Sequence, residues 1–239
     1  MPHEAITSKA ASAKVHLVRL DGYLDGAPDN AARLAQLKQD VAQCVAEHRQ
    51  GGYASNAPSV WPDFLQSLRK DSYSASNRSI SYSRGVAYLF NPMDCSLREN
   101  VSWKAELVSS KGICFIDLKQ KTAKGVCDAG GHSSALARPM PAPAASQGTG
   151  RKKTILGIDC EVWNQHPGLG GTACLARGAS FQPASSAGNP AESGMELEVD
   201  TQFGFKMKAV TARLDADVDA RVFTPYVNAG FDIKGGMRK

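Results

Sequence analysis

The 239-residue chain reads as α+β and mainly β, an antiparallel sheet preceded by one or two N-terminal helices. Two observations predict this. The apolar period runs in steps of three and four residues between 29 and 50, then changes to two from Ser72 onward. Four of the six cysteines form two look-alike pairs, Cys114/Cys127 and Cys160/Cys174. Each pair brackets an apolar run, a polar turn and a second apolar run, the pattern of a β-hairpin stapled across its strands.

Residues 1–28 read as a loosely ordered segment with a short strand at Val15, Leu17, Val18 and Leu20. Asp25-Gly-Ala-Pro-Asp29 is turn chemistry, and Asp29 or Asn30 is placed to cap a helix. Leu34, Leu37, Val41, Cys44, Val45 and His48 mark an amphipathic helix of about five turns, stopped at Gly51-Gly52. A second short helix is expected from Pro62 to Leu68, with Trp61, Phe64, Leu65 and Leu68 inward. The helical segment thus covers 29–71, and the sheet 72–239.

Strands are expected at Tyr82–Phe90, Val101–Val108, Ile113–Ile116 and Thr122–Cys127. Placing Cys114 opposite Cys127 centres the intervening turn on Gln120-Lys121. Ser133–Gly150 is rich in Ala, Pro, Ser and Gly and reads as a flexible loop. Thr154–Trp163 reads as one strand and Thr172–Ala176 as its return, with the Cys160/Cys174 pair centred on Pro167. Phe181–Glu192 is a second loose loop. Met195, Leu197 and Val199 alternate with acids, and Phe203, Phe205 and Met207 alternate with Gly204, Lys206 and Lys208, which predicts a hairpin. From Val210 the apolar set moves to even numbers, so a bulge near Ala209 is expected. The last apolar groups are Val222-Phe-Thr-Pro225 and Gly230-Phe-Asp-Ile233.

Composition excludes some functions. The formal charge is +5, but the basic residues are scattered and Arg151-Lys152-Lys153 is the one dense cluster, so no nucleic-acid stripe is present. No apolar run approaches the ~20 residues of a membrane helix, and no membrane span is expected. Six cysteines, four in hairpin register, point to an oxidising compartment, periplasmic or secreted. Met1–Lys14 lacks the apolar core of a secretory signal, so the leader is expected to be absent from this sequence. The third disulfide, Cys44–Cys95, follows by elimination: Cys44 faces inward on the helix and Cys95 lies just beyond a strand end.

Candidate chemistry is sparse. Cys44 and His48 are one helical turn apart, but no second pair with metal-ligand spacing accompanies them, so they read as a disulfide cysteine beside a helix-end histidine. His132-Ser-Ser134 lacks the frame of a nucleophile elbow. Asp215-Ala-Asp-Val-Asp219 opens like a calcium loop, but Ala220 and Tyr226 stand where glycine and glutamate are required, leaving a solvated acidic turn. Gly168, Gly170 and Gly171 lie in a hairpin turn rather than before a helix, so they make no phosphate loop. Glu196 and Glu198 share a strand face that reads as exposed. No metal, cofactor or catalytic residue is expected, and the five histidines fall in no catalytic frame.

Three stretches resemble the LolA/LolB-like (lipoprotein-carrier-like) superfamily, particularly its uncharacterised secreted and periplasmic branch. They are Gly112-Ile-Cys-Phe-Ile-Asp-Leu-Lys-Gln-Lys-Thr122, Ile155-Leu-Gly-Ile-Asp-Cys-Glu-Val-Trp163, and the closing Gly194–Ile233 with Val222-Phe-Thr-Pro225 and Gly230-Phe231. The likeness covers residues 72–239. It implies a strongly curved antiparallel sheet, an unclosed half-barrel, with the helices packed near its concave face. It implies further that the face is apolar and takes a lipid, an acyl chain or another apolar ligand. Trp163, Met195, Leu197, Phe203, Phe205 and Met207 are the residues expected to line it. The expected function is that of a non-enzymatic envelope protein. The alternatives are a protein–protein interaction module of the envelope with a filled core and, from another class, a secreted enzyme or toxin.

Overall fold

Where each apolar run finds its partners decides the architecture. The structure is a computed structural model and describes residues 12–24, 30–75, 78–109, 112–127, 148–164, 171–176, 195–201, 204–227 and 229–234. The elements are β1 (Ser12–Leu24), α1 (Asn30–Gly51), β2 (Gln66–Ala75), β3 (Arg78–Asn91), β4 (Ser96–Ser109), β5 (Gly112–Asp117) and β6 (Thr122–Gly125). They continue with β7 (Gly148–Ile155), β8 (Ile158–Asn164), β9 (Gly171–Ala176), β10 (Met195–Thr201), β11 (Phe205–Asp219), a 3-10 turn (Ala220–Phe223) and β12 (Asp232–Lys234). The strands form one curved, unclosed 12-stranded sheet in the order β12-β6-β5-β4-β3-β2-β1-β11-β10-β9-β8-β7. The protein is therefore α+β and mainly β. Its pairings are antiparallel except for β12, which joins β6 in parallel.

Four expectations are corrected. Within 1–28, residues 12–24 are a long strand in the middle of the sheet, hydrogen-bonded to β11 and β2. Val15 and Leu17 point to one face and Val18 and Leu20 to the other, because both faces of a central strand are covered; strict alternation is then lost. No helix forms at 62–68; β2 begins at Gln66, so 66–71 belong to the sheet. The run Thr154–Trp163 is a hairpin, β7–β8, turned at Leu156 (φ 52°) and Gly157 (φ 76°). Two consecutive left-handed residues make the tight turn whose twist matches paired strands, and Leu in the first position hid it. Asp215–Asp219 is strand rather than turn.

Other expectations hold with adjusted register. The bulge near Ala209 is present: Arg19 pairs with Thr211 and Leu20 with Ala209, leaving Val210 as the extra residue. A second irregularity follows at 214–215, where the Asp215 N–H donates to Nδ1 of the buried His16 (3.1 Å). All three disulfides form as expected: Cys44–Cys95, Cys114–Cys127 and Cys160–Cys174. Neither hairpin bridge joins directly opposed residues, however. Cys114 lies opposite Gly125, and Val162 opposite Cys174. In the first hairpin the ladder ends at Gly125 (φ 105°), and the Val126 N–H returns to the Ile113 carbonyl (2.8 Å), swinging Cys127 back toward Cys114. A Cβ at 125 would lie 2.3 Å from the Ile113 oxygen, so only glycine fits this approach. The parts of the loops 133–150 and 181–192 that precede Gly148 and Met195, and His132–Ser134, lie outside the described residues.

Register sorts the core. On one face, Leu17, Tyr73, Ile80, Leu107 and Cys114 stand in one cross-strand row, and Arg19, Asp71, Tyr82, Ala105, Ile116, Ala123 and Ile233 in the next. The chain after β11 covers this face: Val222, Phe223 and Tyr226 are buried in the same cluster. The Tyr82 hydroxyl donates to the Val222 carbonyl, and the Arg78 guanidinium lies 4.4 Å from the centre of the Phe223 ring. A second cluster joins Val18, Leu20 and Ala209 to Leu197, Val162, Ile155 and the Cys160–Cys174 bridge. Trp163, Ala173, Leu175 and Val199 make a third.

The helix belongs to none of these clusters. It is held at discrete points. The Asn30 side chain donates to the Asp63 carbonyl (3.0 Å) and accepts from the Leu65 N–H (3.2 Å). Cys44 is bonded to Cys95 in the β3–β4 turn. The C-terminus closes with Tyr53 N–H to His48 O (2.8 Å) and Gly52 N–H to Arg49 O (3.3 Å), a Schellman pair. Each disulfide is expected to contribute about 2–4 kcal/mol. Thiol titration of the unfolded, unreduced protein should find no reactive thiol; two would show that Cys44–Cys95 is open.

Candidate functional site

The face opposite the Tyr82–Phe223 core carries polar rows across the same strands. Lys70, Ser83, Lys104, Asp117, Thr122 and Asp232 are cross-strand neighbours in sequence order, and so are Ser72, Ser81, Glu106, Phe115, Lys124 and Lys234. All of these residues except Ser72 and Asp232 line a groove of about 670 Å³. The alternation that buries Ile80, Tyr82, Ala105, Leu107, Cys114 and Ile116 on one side necessarily places their sequence neighbours on the other. Phe115 is the exception in kind: an aromatic ring, 55% exposed, standing between Glu106 and Lys124.

Local hydrogen bonds shape the groove. The Ser72 and Ser81 hydroxyls are 3.0 Å apart. Asp117 Oδ1 accepts from the Lys119 and Gln120 N–H groups (3.0 and 2.8 Å), which fixes the turn 118–121 at one end. Lys70 Nζ donates to Glu196 Oε2 (2.9 Å) and so ties β2 to β10. Attraction between the two raises the Lys70 pKa and lowers that of Glu196. The depressed Glu196 contributes stability above its unfolded pKa, lost as pH falls through the folded value. The raised Lys70 contributes stability below its unfolded pKa, lost as pH rises through the folded value. The pair therefore acts across the neutral range between them. Both partners are partly exposed, so its worth is that of a screened surface pair, about 0–1 kcal/mol.

The described residues among those expected to line an apolar face lie elsewhere, on β8, β10 and β11, and none of them borders this groove. Leu197 is fully buried in the second cluster. Trp163 is buried in the third. Met195 and Met207 are half-buried against the second, and Met207 also touches the third. Phe205 is half-buried, its N–H bonded to Thr201 Oγ1 (3.0 Å). Phe203 lies outside the described residues. The structure thus brings Met195, Leu197 and Met207 together, and Met207 with Trp163. Glu196 and Glu198 are both engaged, with Lys70 and with Lys153 (2.6 Å).

The groove residues escaped sequence reasoning because polar alternation is also the signature of an ordinary solvated strand face. The available signal was Phe115, an aromatic on the outward parity of Ile113-Cys-Phe-Ile116. Cys44, Cys95 and His48 place one ligand atom each within 4.8 Å of one another, but the two sulfurs are joined in the disulfide, and His48 Nδ1 meets the Ala54 carbonyl (2.9 Å).

Fold and bridges together define a disulfide-bonded, open-sheet protein of the kind that persists in oxidising surroundings; none of the described helices is long and apolar enough to cross a membrane. No family model and no curated protein matches the chain. Among solved structures it is similar to PNGF-II in the P21 space group, with a TM-score of 0.47 and 9% identity over 94% of this chain and 32% of that one. PNGF-II in the C2 space group gives 0.45 and 8%, over 94% and 31%. The chain spans about a third of the length of those chains.

Proposed function

We propose that this is a non-enzymatic envelope protein, periplasmic or secreted, of LolA/LolB-like kind, binding a lipid, an acyl chain or another apolar ligand on the sheet near β10 and β11. The observation that carries the reading is that Met195 and Met207 are only half-buried against a closed cluster, and that Phe205, two residues before Met207 on β11, is half-buried as well. Flexible methionines beside an aromatic ring suit an adaptable greasy contact. The three disulfides support the compartment.

The test is binding of a fluorescent fatty acid, with melting curves, on wild type and Phe205→Ala. Truncating a half-buried ring at a cavity wall should cost clearly less than the ~3–5 kcal/mol of a filled core, while binding weakens. No binding by the wild type, together with a large destabilisation of Phe205→Ala, would falsify the carrier reading. One observation favours the second reading, an envelope protein-interaction module with a filled interior: Leu197 has no exposed surface and Val199 is nearly as closed.

A further inference from the structure

The groove across β2–β6 and β12 has a chemistry that the apolar-ligand reading leaves unused. Its lining holds Lys70, Lys104, Lys124 and Lys234 against Glu106 and Asp117. Two of these lysines have carboxylate partners: Lys70 with Glu196 (2.9 Å) and Lys234 with Asp232 (3.5 Å). Lys104 and Lys124 then stand against Glu106 and Asp117, so the groove is close to charge-balanced, its polar heads carried on hydrocarbon stems beside Phe115. A polyanion site shows uncompensated positive charge, and an acyl-chain site is lined by hydrophobic side chains with only a few polar groups among them. This groove is neither. It offers ammonium donors, carboxylate acceptors, and hydroxyl and amide groups that do both, at Ser81, Ser83, Thr122 and Gln120. Amid them stands one exposed aromatic ring.

Phe115 is the central observation. Glu106 and Lys124 are its directly opposed neighbours on β4 and β6. Opposed residues on one face of an antiparallel pair have Cβ atoms about 4.5–5.5 Å apart. An acceptor and a donor therefore flank the ring on its two sides, on strands whose positions the opposite, buried face holds rigid. A pyranose is the ligand class with matching properties. Its axial C–H groups form an apolar patch that lies on an aromatic ring, and its equatorial hydroxyls accept and donate around the rim. The groove volume of about 670 Å³ falls in the ~300–1,000 Å³ range of sites that bind small molecules.

We infer that this groove is a sugar-binding subsite for an uncharged oligosaccharide, with the Phe115 ring as the stacking platform and Glu106 and Lys124 as hydrogen-bonding partners of the hydroxyls on the stacked residue. The inference goes beyond the apolar-ligand reading and does not depend on it, since no groove residue belongs to that set.

The experiment titrates the intact, oxidised protein with four tetrasaccharides by calorimetry and saturation-transfer NMR: chitotetraose, cellotetraose, maltotetraose and, as an anionic control, tetragalacturonate. At least one of the three uncharged chains should bind, with saturation strongest on the C–H protons of one ring face. Phe115→Ala should weaken that binding by about tenfold and leave the melting temperature unchanged, because the ring is largely exposed. Phe115→Trp should restore binding and report it by a change in indole fluorescence. Binding of the fluorescent fatty acid should be the same in wild type and Phe115→Ala, so failure of the sugar site and failure of the apolar site are read separately. The inference is overturned if none of the uncharged chains binds at millimolar concentration, if tetragalacturonate alone binds, or if Phe115→Ala binds as wild type does.

Discussion

Asp71→Ala is expected to cost about 3–5 kcal/mol of folding stability, measured by urea denaturation. Asp71 has no exposed surface, and its carboxylate accepts from two guanidinium groups at once. Arg19 reaches it from β1 as a fork, Nε to Oδ1 at 2.9 Å and Nη2 to Oδ2 at 3.0 Å. Arg69, two residues back on the same strand face, adds Nε to Oδ1 at 3.3 Å and Nη2 to Oδ2 at 3.2 Å. The arginines retain about 30% of their side-chain surface, so water screens them in part, while the carboxylate is sealed. Removing it leaves two like charges facing each other at the β1–β2 junction without the anion between them. Asp71→Asn keeps the shape but loses the charge and should fall between wild type and Ala. Replacing all three by Met, Leu and Met should recover most of the loss, because the penalty belongs to the unpaired ions rather than to missing net attraction. A cost for Asp71→Ala below about 1 kcal/mol would mean that water fills the place of the carboxylate and that the two guanidinium groups do not depend on it.

Phe223→Ala is expected to lower stability by a similar amount, about 3–5 kcal/mol. The ring has no exposed surface, and it packs with Val222 and Tyr226 onto Ile80, Tyr82 and Leu107. The chain reaches this site only because β11 ends at Asp219, whose carboxylate accepts from the Arg221 N–H (2.9 Å) and starts the 3-10 turn. Loss of the ring opens a void under the Arg78 guanidinium and weakens the hold on Val222, whose carbonyl accepts the Tyr82 hydroxyl. Hydrogen exchange should therefore speed up in 220–226 and in the buried stretch of β3, with little change at β8–β9. Acceleration spread evenly over the sheet would show that this segment is not a separable cover.

Much of the fold is legible in local pattern. Period-two alternation placed β3, β4, β5, β6, β9 and β10, period-3.6 spacing placed α1, and a change of parity located the Val210 bulge. Cysteine identity paired correctly for a local reason: each hairpin brings its own two sulfurs close whatever the detailed register. The register itself was misjudged by two residues in both hairpins, since a bridge of this length also spans diagonal or off-ladder positions. In the first hairpin the deciding contact is the close approach of Gly125 to Ile113.

Legible in the sequence alone are thus the helix, the strands β3 to β6, β9 and β10, and the two hairpin bridges, which suit an oxidising compartment. These depend on side-chain period and on partners close in sequence, where chain connectivity does the work. Tertiary structure alone decided that 12–24 is a central strand, that β11 returns beside it from nearly two hundred residues away, and that the 220–226 segment seals one face. It alone decided that the other face of β2–β6 is a groove rather than an open solvated surface. An outward-pointing Ser, Lys or Phe has the same local signature in either setting. Only sheet curvature and cross-strand register, set by contacts distant in sequence, place Phe115 between Glu106 and Lys124.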